Sequence, residues 1–124
     1  MVVAIGTDLI EIERVLKACS KVSFQEKIFT QAEIDMCIND RVKFADNFAV
    51  KESVSKMLGT GFRDIKPIEI EVLRDSLGKP YVNLYGRSLE RAKELGIGEV
   101  LVTISNTKDY SLAFVVGARG GEEL

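Results

Sequence analysis

A chain of 124 residues, 46% hydrophobic and 29% charged, is long enough for one domain around a core and too apolar for disorder. A net charge of −2 gives no reason to expect nucleic acid as a partner, and no apolar run nears the roughly 20 residues of a membrane helix. With no His, and only Cys19 and Cys37 at unpaired spacing, zinc ligation and Cys-His catalysis are excluded, and an N-terminus without signal-peptide pattern adds the expectation of a cytoplasmic protein.

Val2 to Ile5 is a short apolar run that predicts a buried strand. Gly6-Thr7 should break it just before Asp8, leaving that acid at a strand end where it can face a cleft. Ile10 to Cys19 carries Ile12, Val15, Leu16 and Cys19 at helical spacing and predicts a short helix. Within the stretch from Arg14 to Lys27, the cations Arg14, Lys17, Lys21 and Lys27 face only Glu26, a local excess of four minus one, or +3. Such a face suits an acidic partner, and it equally suits an ordinary solvated helix.

Thr30 followed by Glu33 is a capping box opening a helix to about Ile38. A longer helix is predicted from about Val42 to Leu58, burying Phe44, Phe48, Val54, Met57 and Leu58. Ile68 to Leu73 alternates, Asp75 to Gly78 is turn material, and Tyr81 to Leu84 returns as the hairpin partner. Ser88 to Leu95 reads as a helix closed by Gly96. Val100 to Ser105 and Ser111 to Val116 form a second hairpin around Asn106 to Asp109. The layout predicts an α+β domain spanning residues 1–124, with helices packed on one face of a mainly antiparallel sheet.

The segment from Phe48 to Gly61 carries the most chemistry. Glu52, Ser55, Lys56 and Gly59 fall at i, i+3, i+4 and i+7, one helical stripe running into Gly59-Thr-Gly61, where the helix should end and the backbone can come close to a ligand. On spacing alone, Glu52 and Lys56 are as well explained by a solvated i,i+4 pair. A second acid in another setting, Asp8, adds a metal-binding pair to the possibilities.

Five segments, Gly6 to Arg14, Phe29 to Glu33, Phe48 to Gly61, Gly78 to Pro80 and Val102 to Tyr110, occur in an order and spacing that resembles the holo-acyl-carrier-protein synthases, the small 4'-phosphopantetheinyl transferases. The resemblance covers nearly the whole chain. It implies transfer of the phosphopantetheine arm of coenzyme A to a serine of apo acyl carrier protein, releasing adenosine 3',5'-bisphosphate, in fatty acid biosynthesis. Asp8 and Glu52 would hold Mg²⁺, which takes one or two carboxylates with water and phosphate oxygens. Lys56 would meet a phosphate, making Asp8, Glu52 and Lys56 the catalytic set. Ser55, Lys56 and Gly59 would bind coenzyme A, joined by Lys79 and Pro80 at its adenosine end and by Ser105, Asn106 and Thr107 from a neighbouring subunit.

The resemblance also implies a homotrimer with sites between subunits, and carrier-protein docking at Arg14, Lys17 and Lys21, with neither nucleic acid nor membrane involved. Two positions depart from the family: many members have Arg at 47 and His at 106, where this chain has Asn. An Asn hydrogen-bonds but neither titrates nor carries charge. Phosphate binding would then lean on Lys56, Lys79, Lys108 and Mg²⁺. Two other classes stay open at this point. A coenzyme A binding module would not need two acids placed for a metal; another phosphotransferase should carry a phosphate loop, which Gly59-Thr-Gly61 does not extend to.

Overall fold

A computed structural model describes residues 1–120. The elements run β1 (Val2–Glu11), α1 (Ile12–Ala18), α2 (Val22–Ile28), α3 (Gln31–Cys37), α4 (Val42–Met57), β2 (Ile70–Arg74), β3 (Pro80–Leu84), α5 (Gly86–Glu94), β4 (Ile97–Asn106) and β5 (Tyr110–Arg119). β1, β5 and β4 form an antiparallel sheet in that order, and β2 and β3 a separate antiparallel hairpin. This is the predicted α+β class, with two sheets in place of one. Among the described residues no helix is long and apolar enough to cross a membrane.

α4 lies across β1 and β5, and its position rests on a glycine. Gly6 does not break the first strand. It pairs with Val115 inside the ladder, and a Cβ there would collide with the Ser53 carbonyl and come within 2.9 Å of the Met57 nitrogen. The missing side chain therefore serves close approach of helix to strand, not chain reversal. Asp8 consequently sits mid-strand, two residues on, with its side chain on the α4 side. Ser53 completes the seam by donating to Ala113 O at 3.2 Å.

The stretch from Arg14 to Lys27 is not one basic helix. α1 ends at Ala18 and α2 opens at Val22, with Lys21 at its N-cap. Gln25 Nε2 caps the turn between them through Cys19 O at 2.6 Å. The predicted capping box is present: Thr30 Oγ1 accepts from Glu33 N at 3.3 Å and Glu33 Oε1 from Thr30 N at 3.0 Å. Cys19 and Cys37 are fully buried beside Phe29 and Phe44; burial pushes the Cys19 thiol up to about 11 and Cys37 to about 12, so both are packing residues.

The core also holds charge. Lys51 is fully buried, donating to Glu33 Oε1 at 2.8 Å, to Pro67 O at 3.0 Å and to Ile70 O. Asn47, also fully buried, donates to Glu33 Oε2 at 3.1 Å and Val72 O at 2.9 Å. These contacts tie α4 to α3 and β2. The far face of the larger sheet is the opposite case: Ile5, Leu9, Leu101, Leu112 and Phe114 stand there between 40% and 61% exposed, side by side in the ladder register. A contiguous apolar face of this kind marks an interaction surface.

Candidate functional site

The close packing at Gly6 brings the mid-strand acid to the helix stripe. Lys56 Nζ lies 2.7 Å from Asp8 Oδ1 and donates to Thr7 O at 3.0 Å. Glu52, one turn earlier on α4, is half-buried and has neither ion pair nor side-chain hydrogen bond among the described residues. Burial, and then the Asp8 charge beside it, holds the Glu52 carboxyl above the usual carboxylate range. Two repelling carboxylates beside one ammonium form an oxygen-donor set that fits a divalent cation. Among the described residues no group of three or more His, Cys, Asp or Glu could hold a metal, so further ligands would come from substrate and water.

The α4 stripe ends as its glycines require. Gly59 and Gly61 have φ of +78° and +58°, and the nitrogens of Thr60 and Gly61 return to Ser55 O at 3.3 and 3.2 Å. Gly59 is exposed at the loop. Ser55 is turned inward: it is 1% exposed, and its hydroxyl donates to Glu52 O at 2.7 Å. That hydroxyl is committed to its own helix backbone. Sequence spacing alone does not reveal Arg91 of α5, whose Nε donates to Leu58 O at 3.0 Å and closes the α4 C-terminus beside Gly59.

The other expected coenzyme A residues lie elsewhere on the chain. Gly78 and Pro80 line a cleft of about 310 Å³ together with Lys43, Arg74, Thr103 and Asn106. Lys79 is exposed on the β2–β3 turn, whose shape Asp75 sets: its Oδ1 accepts from Leu77 N and Lys79 N, each at 2.9 Å. Thr107 is exposed at the β4–β5 tip, its Oγ1 accepting from Asp109 N at 3.3 Å and Tyr110 N at 3.1 Å. Ser105 faces outward with the apolar sheet face. Asn106 faces α4, where Nδ2 lies 3.0 and 3.2 Å from the two Asp46 oxygens. Asp46 precedes Glu52 by six residues, about 9 Å of helix, so one chain holds the acidic and the hairpin groups apart.

Arg14 and Lys17 are exposed on α1, and Lys21 is exposed at the α2 cap. Arg14 borders an apolar cleft of about 460 Å³ between β1, α1, α2 and α4; its nearest acid is Glu11 at 3.8 Å, with both side chains mostly in solvent.

Residues 4–115 match the model of the 4'-phosphopantetheinyl transferase superfamily. The chain belongs to this family. It is 56% identical over 117 residues to a holo-[acyl-carrier-protein] synthase of Lachnoclostridium phytofermentans, covering 94% of this chain and 96% of that one. A crystal structure of the Neisseria meningitidis holo-[acyl-carrier-protein] synthase superposes with a TM-score of 0.82 at 33% identity, covering 96% and 100% of the two chains. A Bacillus anthracis synthase in complex with CoA (3',5'-ADP) gives a TM-score of 0.78 at 31% identity over 96% and 98%. Asn47, where many family members have Arg, is a fully buried core residue under α3 and β2.

Proposed function

We propose that this protein is a holo-acyl-carrier-protein synthase, moving the 4'-phosphopantetheine arm of coenzyme A to a serine hydroxyl of apo acyl carrier protein. The observation that carries this is the convergence of Asp8, Glu52 and Lys56 from two distant segments, in a chain similar to named synthases along nearly its whole length. In the reaction the serine oxygen forms a bond to the β-phosphorus of coenzyme A while the bridging P–O bond breaks. Adenosine 3',5'-bisphosphate leaves with the electron pair.

Asp8 and Glu52 would hold Mg²⁺, which when bound neutralises charge growing on the pyrophosphate. Lys56, half in solvent, moves from Asp8 to a phosphate oxygen as a point charge. Glu52, facing no donor of its own, takes the serine proton as general base. Gly59 lets the substrate pass close to the backbone.

In this reading the working unit is a homotrimer, each chain a single domain over 1–124. The separation of the hairpin residues Ser105, Asn106 and Thr107 from the acidic pair favours a site assembled from two chains, and the exposed apolar face with Ile5, Leu9, Leu101, Leu112 and Phe114 supplies a surface for assembly. Carrier-protein docking at Arg14, Lys17 and Lys21 is favoured by their exposure and by the apolar cleft beside Arg14. A cytoplasmic setting in fatty acid biosynthesis follows from the substrates.

The test is mass spectrometry of apo acyl carrier protein incubated with coenzyme A, Mg²⁺ and this protein, with light scattering on the same sample. A phosphopantetheine mass increase that needs Mg²⁺ upholds the activity. An unmodified carrier protein rejects it, and a fully active monomer rejects the shared site.

A further inference from the structure

Asp46 is a buried acid outside the Asp8–Glu52 pair. It is 8% exposed within α4 and has no cation within 4 Å among the described residues. Its contacts are with the β4–β5 hairpin: Ser111 Oγ donates to Oδ1 at 2.7 Å, and Asn106 Nδ2 lies 3.0 Å from Oδ1 and 3.2 Å from Oδ2. An ionised carboxylate only accepts hydrogen bonds, so the nitrogen of the Asn106 amide must face it. The amide orientation at this position is thereby set by chemistry; the carbonyl oxygen has no hydrogen-bond partner among the described residues, and Asn106 lines a cleft with Pro80 and Gly78.

The electrostatics of the cleft point the same way. Within one chain, Lys43 and Arg74 among its lining residues are matched by Asp40 and Asp46, so that chain brings no net positive charge to the cleft. A phosphate placed on the Asn106 amide would sit beside the Asp46 carboxylate and be repelled. We infer that Asp46 is a positioning residue for the nucleotide end of the substrate, and that Asn106 meets coenzyme A through its carbonyl oxygen, accepting from a neutral donor on the base or ribose and not touching the 3'-phosphate. The inference rests on the transferase reading proposed above.

Steady-state kinetics of the wild type, Asn106→Ala, Asp46→Ala and the double variant test it, with coenzyme A and then dephospho-coenzyme A as the varied substrate. Each single variant raises the KM for coenzyme A about tenfold, one hydrogen bond's worth, while kcat and the carrier-protein KM stay within about twofold. Dephospho-coenzyme A shows the same factor. The double variant is no worse than the worse single one, because Asp46 acts through Asn106.

An effect of Asn106→Ala that vanishes with dephospho-coenzyme A overturns the inference, since the residue then reads the phosphate. Additive losses in the double variant overturn the positioning role. Should Asp46→Ala fail to fold, Asp46→Asn replaces it: its carbonyl still accepts from Asn106, so the KM stays within about threefold of wild type. A folded Asp46→Asn as impaired as Asn106→Ala would reject the acceptor role. A coenzyme A analogue carrying hypoxanthine separates the two donors: an Asn106→Ala effect that is lost identifies the adenine amino group, and one that persists identifies the ribose hydroxyl. Wild type that transfers nothing sinks the transferase reading itself.

Discussion

The Lys56 ammonium stands 2.7 Å from the Asp8 carboxylate on β1 and makes no ion pair with Glu52, one helical turn before it. The i,i+4 spacing of Glu52 and Lys56 thus does not serve as a solvated helix pair. Lys56 bridges helix to strand across 48 residues of sequence, and Glu52 keeps its oxygens free. Removing charge at either acid should therefore cost catalysis more than stability. We expect Asp8→Asn and Glu52→Gln to lose at least about a hundredfold in turnover. With Lys56 53% exposed, the stability change should stay within about 1 kcal/mol. Thermal melts alongside the carrier-protein mass assay check both halves. Near-normal rates at saturating Mg²⁺ in both variants would remove the pair from the metal site.

The seam at Gly6 makes a sharper demand on packing. Gly6→Ala places a methyl against the Ser53 carbonyl and the Met57 nitrogen, and these are helix backbone atoms that cannot rotate away. α4 must move off β1, at a cost of about 3 kcal/mol, carrying Glu52 and Lys56 away from Asp8. Both melting temperature and turnover should fall. A variant with wild-type stability would show that the two elements are not in such close contact.

Much of this was legible in the residues. The Thr30–Glu33 box, the 16-residue helix α4, both hairpins and the glycine stop after α4 follow from local chemistry that the tertiary structure leaves in place. Gly6 misled because a glycine in an apolar run signals a break or a close approach alike, and only the helix against it decides which. The short helix expected up to Cys19 ends at Ala18 as α1, but its start at Ile10 gives way to β1, and the separate helix α2 from Val22 to Ile28 was hidden. Lys51 and Asn47 look like surface residues of α4 until Glu33 of α3 and the β2 carbonyls arrive to satisfy them. Asp46 and Arg91 carry no local signal either, because their partners lie 60 and 33 residues away.

A second polar cluster sets a pH dependence. Burial alone would raise the Glu71 carboxyl, but hydrogen bonds from Thr30 Oγ1 at 2.7 Å, Asn83 Nδ2 at 3.1 Å and Tyr85 OH at 3.0 Å outweigh it and hold it below its ordinary value. A depressed carboxylate contributes stability that is present above the unfolded value of about 4.3 and lost as pH falls through the folded one. Tyr85→Phe weakens that depression. The variant should be about 1 kcal/mol less stable near pH 7, and the difference should shrink as pH falls below the unfolded value and through the lower folded one. Urea titrations across this range decide it; a gap that stays constant would mean the phenol contributes packing alone.

Docking of an acidic carrier protein at α1 predicts a split between the two substrates. Arg14 is largely in solvent, so its reversal should leave the fold unchanged. Arg14→Glu should raise the carrier-protein KM about tenfold at low salt, and by less as ionic strength shortens the range of the field. The KM for coenzyme A should be nearly unaffected. Equal rises in both constants would move Arg14 out of the docking surface.

The hairpin position offers a variant whose pH profile has a definite sign. In Asn106→His the imidazole faces Asp46, which favours the charged ring and lifts its pKa above the free value of about 6.5. Above that pKa the neutral ring donates one N–H to Asp46 and presents its other nitrogen as an acceptor, the arrangement the Asn106 amide has now. Below it both nitrogens carry protons and the acceptor is gone. If the hairpin meets a neutral donor on coenzyme A, the KM for coenzyme A should be close to wild type at pH 8.5 and rise about tenfold on descending through the imidazole pKa. Were a phosphate bound there instead, the imidazolium would attract it, and KM would fall over the same interval. Initial rates from pH 5.5 to 8.5, each divided by the wild-type rate at the same pH to remove the pH dependence common to both proteins, separate the two directions. A KM that falls as pH is lowered would reject the acceptor assignment and return position 106 to the phosphate-binding groups.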